Sequence, residues 1–230
     1  MNACCTIRRA AADAVILYFG DTIDPTIHHN LMQCHEHLRP HLGRGIRSLV
    51  PSYSSLLIRY DPFVWSEVRV RNFLRDHCRQ DISTAQEKDT VLEIPVWYNP
   101  SVGWDLESVA RQHDLTIDEI IALHHQREYR VYAVGFLPGF GYMGRLDERL
   151  NTPRLSTPRP HLPAGSVAIA DMQTAIYPMA SPGGWHILGR TPLEMFDPLR
   201  EPASLMQVGM RVRFVPIDRA RYLALGGMLS

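Results

Sequence analysis

The uneven distribution of glycine and proline constrains the fold of this chain most strongly. Residues 135–192 hold 16 of its 32 glycines and prolines in about a quarter of the 230 residues. Between them lie short segments with strand character, GSVAIA, TAIYP and GWHIL, and MRVRFVPI follows further on. Many short strands joined by tight turns are typical of an antiparallel barrel or sandwich. We therefore expect a mainly-β domain in the C-terminal part of the chain.

The first 80 residues alternate strand and helix signals instead. The run AVILYF predicts a buried strand, and Asp24 followed by Pro25 predicts the start of a helix. Strand-like residues follow, and Asp61 with Pro62 repeats the helix-start signal for a second helix that ends near Arg79. This order of elements predicts a small α+β domain.

A polar segment at 80–90 lacks hydrophobic periodicity and predicts a connection between two domains, 1–82 and 83–230. Beyond it, VLEIPVWYN predicts a strand and DLESVARQHDL predicts a helix. Thr116 with Glu119 three residues later forms a capping-box pattern that predicts another helix. The strand EYRVYAVGF is expected to follow it.

The composition excludes several classes of protein. Lys plus Arg and Asp plus Glu number 24 each, so no net charge draws the chain to nucleic acid or to an anionic membrane. The only lysine, Lys88, follows no glycine-rich loop, which argues against a self-contained Walker-type ATPase. The four cysteines form no CxxC pair, and no signal-peptide or membrane-span pattern occurs. We expect a cytoplasmic protein.

The histidine-rich stretch HHNLMQCHEHLRPH at 28–41 suggests a metal site, with His37 and His41 as ligands. Pro40 is expected to end the helix before His41, however, so the two imidazoles should not converge on a metal. We therefore predict no metal site and a solvated helix face that includes His28. The buried face of this helix is predicted to consist of Ile27, Leu31, Cys34 and Leu38.

Two further groups leave alternatives open. His124 is predicted at the end of a helix, shortly before a strand. It is either a histidine packed in the core or a functional residue that serves as an acid, a base or a hydrogen-bond donor. In GFLPGFGYMG, which lacks the spacing of a phosphate loop, the aromatic residues either pack in a core or form a pocket wall. These aromatic residues are Phe136, Phe140 and Tyr142.

Three arginines lie in segments with restricted backbones. Arg154 and Arg159 lie among prolines, and Arg190 lies between a glycine and Thr191. A restricted backbone lowers the entropy lost when a guanidinium binds a carboxylate or phosphate, although a structural salt bridge would explain each arginine equally well. No GxSxG, SxxK or catalytic Cys-His motif occurs, which argues against an ordinary serine or cysteine hydrolase.

Two long segments carry a family resemblance, HHQREYRVYAVGFLPGFGYM and PRLSTPRPHLPAGSVAIADMQTAIYPMASPGGWHILGRTPLEMFDP. They closely resemble the KipI family, also called allophanate hydrolase subunit 1 and now associated with the B component of 5-oxoprolinase. FGDTID and VPSYSSLLIRYDP resemble the first domain of that family, so the resemblance covers nearly the whole chain. It implies a small α+β domain followed by a cyclophilin-like β-barrel.

The resemblance also implies an activity and partners. Family members act with a KipA-like protein, the C component of 5-oxoprolinase, and with a LamB/YcsF-like protein, its A component. Together these convert 5-oxoproline to glutamate with hydrolysis of ATP, which binds with magnesium, and no tightly bound cofactor is expected. Such a protein would be inactive alone. The alternatives are an inhibitor that docks on a sensor histidine kinase, and a carboxyltransferase-type subunit of an allophanate or urea pathway.

The family motif assigns candidate roles to residues of this chain. The expected catalytic residues are His124, Tyr177 and Arg190. The expected substrate-binding residues are Arg154, Arg159, Gln173, Ser181, Trp185 and Thr191, and the expected pocket wall is Phe136, Phe140 and Tyr142. Tyr129, Pro138, Gly165 and Ser166 also match the motif. Gly141 and Ala175 depart from it, since the family often has proline and glycine there.

Overall fold

The computed structural model describes residues 5–78 and 91–229. The chain divides into two compact units, Met1–Asp89 and Thr90–Ser230. The domain boundary that we predict between residues 82 and 83, with the polar connection around it, lies outside the described residues. None of the helices in the described part is long and apolar enough to cross a lipid bilayer.

The described residues of the N-terminal unit form a sheet covered by helices. The elements are β1 (Thr6–Ala11), β2 (Ala14–Tyr18), α1 (Pro25–Leu38), β3 (Ile46–Ser52), β4 (Ser55–Tyr60) and α2 (Glu67–His77). The strands are antiparallel in the order β1-β2-β4-β3. Apolar side chains of the sheet and of both helices share one buried cluster. The predicted α+β fold is confirmed, although β1 was not predicted.

Helix α1 starts where the sequence predicts. The Asp24 side chain accepts hydrogen bonds from the amides of Thr26 at 2.8 Å and Ile27 at 3.1 Å. The prediction for His28 is wrong, because this residue is fully buried and its Nδ1 lies 3.0 Å from the Tyr53 carbonyl oxygen. The other buried residues of the helix are Leu31, Cys34 and Leu38.

Helix α2 starts after Ser66 rather than at Pro62, so its predicted start is wrong. Asp61 closes a turn instead, in which its Oδ1 accepts a hydrogen bond from the Phe63 amide at 2.9 Å. With its carboxylate engaged in this turn, Asp61 is not the helix cap, and Ser66 takes that position. The predicted end near Arg79 lies outside the described residues.

The C-terminal unit is mainly β. Its helices are α3 (Leu106–Gln112), α4 (Ile117–His125) and α5 (Arg219–Ala224). Its strands are β5 (Val91–Val96), β6 (Glu128–Val134), β7 (Gly141–Gly144), β8 (Arg159–Leu162), β9 (Ser166–Ala170), β10 (Gln173–Ile176), β11 (Ser181–Gly183), β12 (His186–Arg190) and β13 (Arg211–Pro216). The capping box predicted for α4 is present, whereas β7, β8, β11 and α5 were not predicted.

Seven of these strands form one sheet that nearly closes into a barrel. Their order is β12-β9-β10-β7-β6-β13-β5, and β8 pairs with β11 in a separate ribbon. The first and last strands of this order meet through Trp97 and Arg190, where both N–H···O distances are 2.9–3.0 Å. A mainly-β, barrel-like domain is thus confirmed, with its edges joined at a single residue pair among the described residues.

The two faces of this sheet carry different side chains. On β9, Val167 and Ile169 belong to the main core together with helices α3 and α4. Ala168 and Ala170 point to the opposite face, into a second buried cluster that contains Trp185. Since successive side chains of a strand alternate between faces, β9, β10 and β12 contribute to both clusters.

Candidate functional site

His124 lies in the main core of the C-terminal unit, on α4. Its side chain is fully buried, with Nδ1 2.7 Å from the Tyr98 hydroxyl and Nε2 2.9 Å from the Thr174 hydroxyl. The Thr174 hydroxyl donates its hydrogen to the Ala168 carbonyl at 3.0 Å, so it accepts from Nε2–H of His124. Nδ1 therefore carries the lone pair and accepts from Tyr98.

Burial also fixes the charge of this imidazole. It lowers the pKa of His124 to about 3, and the neighbouring His125 adds to this effect. The ring stacks on Phe214 at 4.6 Å between centroids. A neutral, fully hydrogen-bonded ring without access to solvent fits the core-histidine alternative, and it does not fit the catalytic role that we predict for His124.

An aromatic basin occupies the opposite face of the sheet. It consists of Phe136, Phe140, Tyr142, Tyr177 and Trp185. Phe140 is its centre, with edge-to-face contacts to the other four rings at 4.8–5.8 Å between centroids. The sequence thus predicts correctly that Phe140 and Tyr142 lie together. Phe140, Tyr177 and Trp185 are buried, which fits the core alternative, and Phe136 is 64% exposed at their edge. The pocket wall stays a prediction.

Small residues give the aromatic rings room. Ala168, Ala170 and Ala175 lie in the same buried cluster, where the other face of the sheet carries branched aliphatic side chains. A Cβ atom on Gly183 would lie 2.3 Å from the Tyr177 hydroxyl oxygen, so only glycine fits beside Tyr177. Ribbon strand β11 can therefore approach the basin closely.

Arg154 places its positive charge beside the aromatic basin. Its guanidinium carbon lies 5.6 Å from the centroid of the Trp185 ring, and its Nε lies 3.8 Å from the Asp171 carboxylate. The side chain of Arg154 is 59% exposed and that of Asp171 is 63% exposed. A long, exposed ion pair contributes little stability, so the guanidinium stays available to another anion.

The backbone around Arg154 is held against β12. The Pro153 carbonyl accepts a hydrogen bond from His186 Nε2 at 2.8 Å, and the Leu155 amide donates to the Gly184 carbonyl at 2.8 Å. These bonds fix the residues on both sides of Arg154 to the residues on both sides of Trp185. Sequence reasoning missed the role of His186, because its partner lies 33 residues earlier.

The phenols of the basin remain protonated at neutral pH. Burial raises the pKa of Tyr142 and of Tyr177 above the usual tyrosine value, and the charge of Arg154 offsets part of each shift. A backbone hydrogen bond from Trp185 also lowers the pKa of Tyr177. Both phenols can therefore donate hydrogen bonds but cannot act as bases near pH 7.

Phe136 stands at the edge of the basin with an unusual backbone. Its φ angle is +71°, in the left-handed region that bulky residues rarely adopt. Such conformations cost free energy and cluster at ligand sites and switch regions. The exposed ring of Phe136 is therefore a candidate contact for a ligand or a partner at the mouth of the basin.

The smaller predicted residues fall in two places. Ser181 lies on β11 opposite Leu162 of the basin cluster, and its buried Oγ has no hydrogen-bond partner among the described residues. Gln173 is half-buried on β10 and precedes Ala175 of the basin face by two residues. Thr191 is buried, and its hydroxyl accepts from the Leu193 amide at 3.3 Å, which is a structural role.

Arg159 is held in an internal ion pair. Its two terminal nitrogens donate to the carboxylate of Asp105 at 2.6 and 2.7 Å. Asp105 is buried and also accepts from the Ile187 amide at 2.8 Å. For Arg159 the geometry therefore favours the salt-bridge alternative over the predicted contact with substrate. Sequence reasoning missed Asp105, which lies 54 residues before its partner.

Arg190 lies at the closure of the barrel and is buried. Its Nη1 donates to the Met228 carbonyl at 3.3 Å, and the Tyr222 hydroxyl donates to the same oxygen at 3.1 Å. The guanidinium thus holds the C-terminal segment, rather than taking the catalytic position that we predict for Arg190.

Other parts of the structure add no second candidate site. The described residues contain no group of three or more histidine, cysteine or acidic side chains placed to hold a metal ion. An open groove of about 400 Å³ lies in the N-terminal unit, lined by Thr6, Arg8, Tyr18, Phe19, Gly20 and Asp21. None of the predicted site residues lines this groove. The aromatic basin is the candidate site because the exposed guanidinium of Arg154 and the exposed ring of Phe136 adjoin it.

Residues 5–206 match the family described as carboxyltransferase domain, subdomain C and D, and the chain belongs to this family. It is 33% identical over 228 residues to the B component of 5-oxoprolinase from Bacillus subtilis, a match that covers 95% of each chain. It is 44% identical over 137 residues to the same component from Escherichia coli O157:H7, covering 60% of this chain and 63% of that protein.

Solved structures show the same fold. The structure of TTHA0988 superposes with a TM-score of 0.81 and 36% identity, and the match covers 93% of this chain but 41% of the longer TTHA0988 chain. The urea carboxylase of Kluyveromyces lactis superposes with a TM-score of 0.74 at 18% identity, covering 96% of this chain and 22% of the enzyme. At that identity the likeness concerns the fold alone.

Proposed function

We propose that this chain is the B component of an ATP-dependent 5-oxoprolinase. The observation that carries the proposal is the end-to-end similarity to the Bacillus subtilis protein, at 33% identity over 95% of both chains. In the complete reaction, 5-oxoproline, ATP and two water molecules give glutamate, ADP and phosphate. The cytoplasmic location remains a prediction from the sequence.

The aromatic basin is the part of the substrate site that we assign to this chain. Arg154 would bind the carboxylate of 5-oxoproline in place of Asp171, because a guanidinium forms strong, paired hydrogen bonds with a carboxylate. The flat lactam ring would lie against the exposed ring of Phe136, because Trp185 is only 5% exposed and supports Arg154 from below.

The protonated phenol of Tyr142, which is half-buried, would donate to the lactam carbonyl, which favours the negative charge that develops there during attack. Tyr177 is only 2% exposed and packs on Phe140, so it supports this site rather than taking the catalytic position that we predict.

The other predicted residues take supporting roles in this proposal. His124, Arg159 and Arg190 stabilise the barrel that carries the basin, and Thr191 stabilises a turn. Ser181 and Gln173 remain candidates for direct contact, since Ser181 Oγ has a free hydrogen-bonding capacity among the described residues. Phe136 is 64% exposed at the edge of the basin, where a partner protein would complete the site.

Partner proteins supply what the sequence of this chain lacks. We propose that a KipA-like C component and a LamB/YcsF-like A component form the complex with it, and that the chain alone is inactive. No nucleotide-binding loop occurs in the sequence, so ATP and its magnesium are not assigned to residues of this chain.

Reconstitution tests the proposal. The purified chain is mixed with both partner proteins, ATP, magnesium and 5-oxoproline, and glutamate is measured. Glutamate should form only when all three proteins are present. Phe136→Ala should reduce its rate, while Phe63→Ala, at an exposed phenylalanine of the N-terminal unit, serves as the matched control and should leave the rate unchanged. Absence of turnover with folded partners would refute the function, whereas full activity of Phe136→Ala would refute only the site.

A further inference from the structure

Two cysteines of the N-terminal unit meet inside its core. Cys34 lies on the buried face of α1, and Cys78 is the residue that ends α2. They are 2% and 8% exposed, and their sulfur atoms are 2.7 Å apart. Ordinary nonbonded contacts between heavy atoms are longer, at about 3.5–4.0 Å.

We propose that Cys34 and Cys78 form a reversible disulfide that ties the end of α2 to α1, with a small-molecule disulfide such as glutathione disulfide as the oxidant. A disulfide requires sulfur atoms that are already adjacent and backbones that can bring Cα atoms within about 4.4–6.8 Å. Two side chains that pack against each other from neighbouring helices meet the first requirement without rearrangement of the core.

The reaction balances as two exchange steps. The thiolate of one cysteine attacks glutathione disulfide, which gives a mixed disulfide and releases one glutathione thiolate. The thiolate of the second cysteine then attacks the protein sulfur and releases the second glutathione. The two cysteine thiols lose two electrons and two protons, and the oxidant becomes two glutathione molecules.

The surroundings of the pair predict slow oxidation. The hydrogen bond to Cys34 and the burial of the side chain both raise the pKa of the Cys78 thiol, so the reactive thiolate is scarce at neutral pH. Cys78 nevertheless lies at the last turn of a helix, where local opening is easiest. The rate of crosslinking should therefore rise with pH and with mild destabilisation of α2.

The crosslink would close a loop between residues 44 positions apart. Loops of this length restrict the unfolded chain strongly, so the oxidised N-terminal unit should be more stable than the reduced one. We expect the unfolding temperature of this unit to rise by about 10 °C on oxidation and to return after treatment with dithiothreitol.

The test uses the full chain in its folded state. It is incubated with glutathione disulfide at pH 8, alkylated with N-ethylmaleimide, digested and analysed by mass spectrometry. A linked pair of peptides containing Cys34 and Cys78 is expected, together with the loss of two of the four thiols. Retention of both alkylated thiols, or crosslinking mainly to Cys4 or Cys5, would overturn the proposal.

Three controls separate the native pairing from chance. Cys5→Ser should leave the crosslink intact, whereas Cys34→Ala and Cys78→Ala should each abolish it. Chain unfolded in urea before oxidation should give a mixture of pairings. The same mixture from folded chain would show that the fold does not direct the pairing, and this result needs no variant to fold.

Discussion

The two faces of the β9–β10 hairpin use polar side chains in opposite ways. On one face, Thr174 holds the imidazole of His124 within a hydrogen-bonded chain that no solvent reaches. On the other face, Tyr177 belongs to an aromatic basin at which Arg154 remains largely exposed. A polar group that has all its partners inside the protein serves stability, while a polar group with a weak or absent partner is available for a ligand.

Three arginines of the C-terminal unit show the same contrast between polar groups with internal partners and polar groups available to a ligand. Arg159 has two short hydrogen bonds to a buried carboxylate, and Arg190 is buried against the C-terminal segment. Arg154 has one exposed carboxylate at 3.8 Å and an aromatic ring beneath it. Sequence context did not separate these three residues, whereas the burial of their partners does.

Replacement of His124 should have the largest effect and should fall on stability. His124→Ala removes two hydrogen bonds and leaves the Tyr98 and Thr174 hydroxyls buried, so we expect a loss of about 3–5 kcal/mol in the free energy of unfolding. Urea unfolding followed by tryptophan fluorescence measures it in a Trp65→Phe background, where the remaining tryptophans all lie in the C-terminal unit.

His125→Ala is the matched control, since this neighbour is only half-buried. It should cost less than about 1 kcal/mol. Equal losses from the two variants would show that the burial of His124 does not set its contribution to stability.

Acid should destabilise the C-terminal unit because it protonates the buried imidazole of His124. The pKa of His124 is about 3 in the folded chain and near 6.5 when unfolded, so its stabilising contribution is complete above pH 6.5 and is lost as the pH falls towards 3. Between pH 7 and pH 4.5 we expect a loss of about 2–3 kcal/mol. Unfolding curves of wild type and His124→Asn measure the difference, which isolates this group from the carboxylates. Parallel pH profiles would contradict the prediction.

Arg154 should affect activity and leave stability nearly unchanged. Arg154→Gln removes a charged hydrogen bond to the substrate carboxylate, so kcat/KM of the reconstituted complex should fall by about 10- to 100-fold. Arg149→Gln is the control, because Arg149 is similarly exposed and pairs with Asp147 at 3.0 Å in the same unit. If both variants retain full activity, the basin is not the substrate site.

The smallest effect is expected at Asp171. Asp171→Asn should free the guanidinium of Arg154 from its competing carboxylate and lower KM for 5-oxoproline by up to about fivefold, with kcat unchanged. Steady-state kinetics of the complex measure this change. A higher KM would instead show that Asp171 positions Arg154 for the substrate, so that their exposed ion pair would assist binding rather than compete with it.

Local sequence signals predicted much of the fold because their causes are local. Asp24 caps α1 and Thr116 caps α4 through bonds within a few residues, and both were predicted. The pair Asp61 and Pro62 gives the same signal but closes a turn, since Ser66 offers a competing cap. Strands β8 and β11 were missed because they are three or four residues long and contain proline.

The sequence predicted several residues of the candidate site but not their arrangement in space. The aromatic residues of the glycine-rich segment do meet Tyr177, Trp185 and Arg154 in one basin. The partners that remove Arg159 from this group could not be predicted, because Asp105 lies 54 residues away and no local pattern marks it. Contacts between side chains that are so distant in the sequence form only when the sheet has nearly closed into a barrel.

The position of β13 has a consequence for synthesis on the ribosome. This strand, near the end of the chain, lies between β5 and β6, which are the first two strands of the barrel to be made. β6 can pair early with β7, but β5 must wait for almost the whole polypeptide before it gains its partner strand β13. The four-stranded antiparallel sheet of the N-terminal unit lies within the first 60 residues. Growing chains should acquire protease resistance first in the N-terminal unit, and truncation before Arg211 should leave the barrel strands exposed to aggregation.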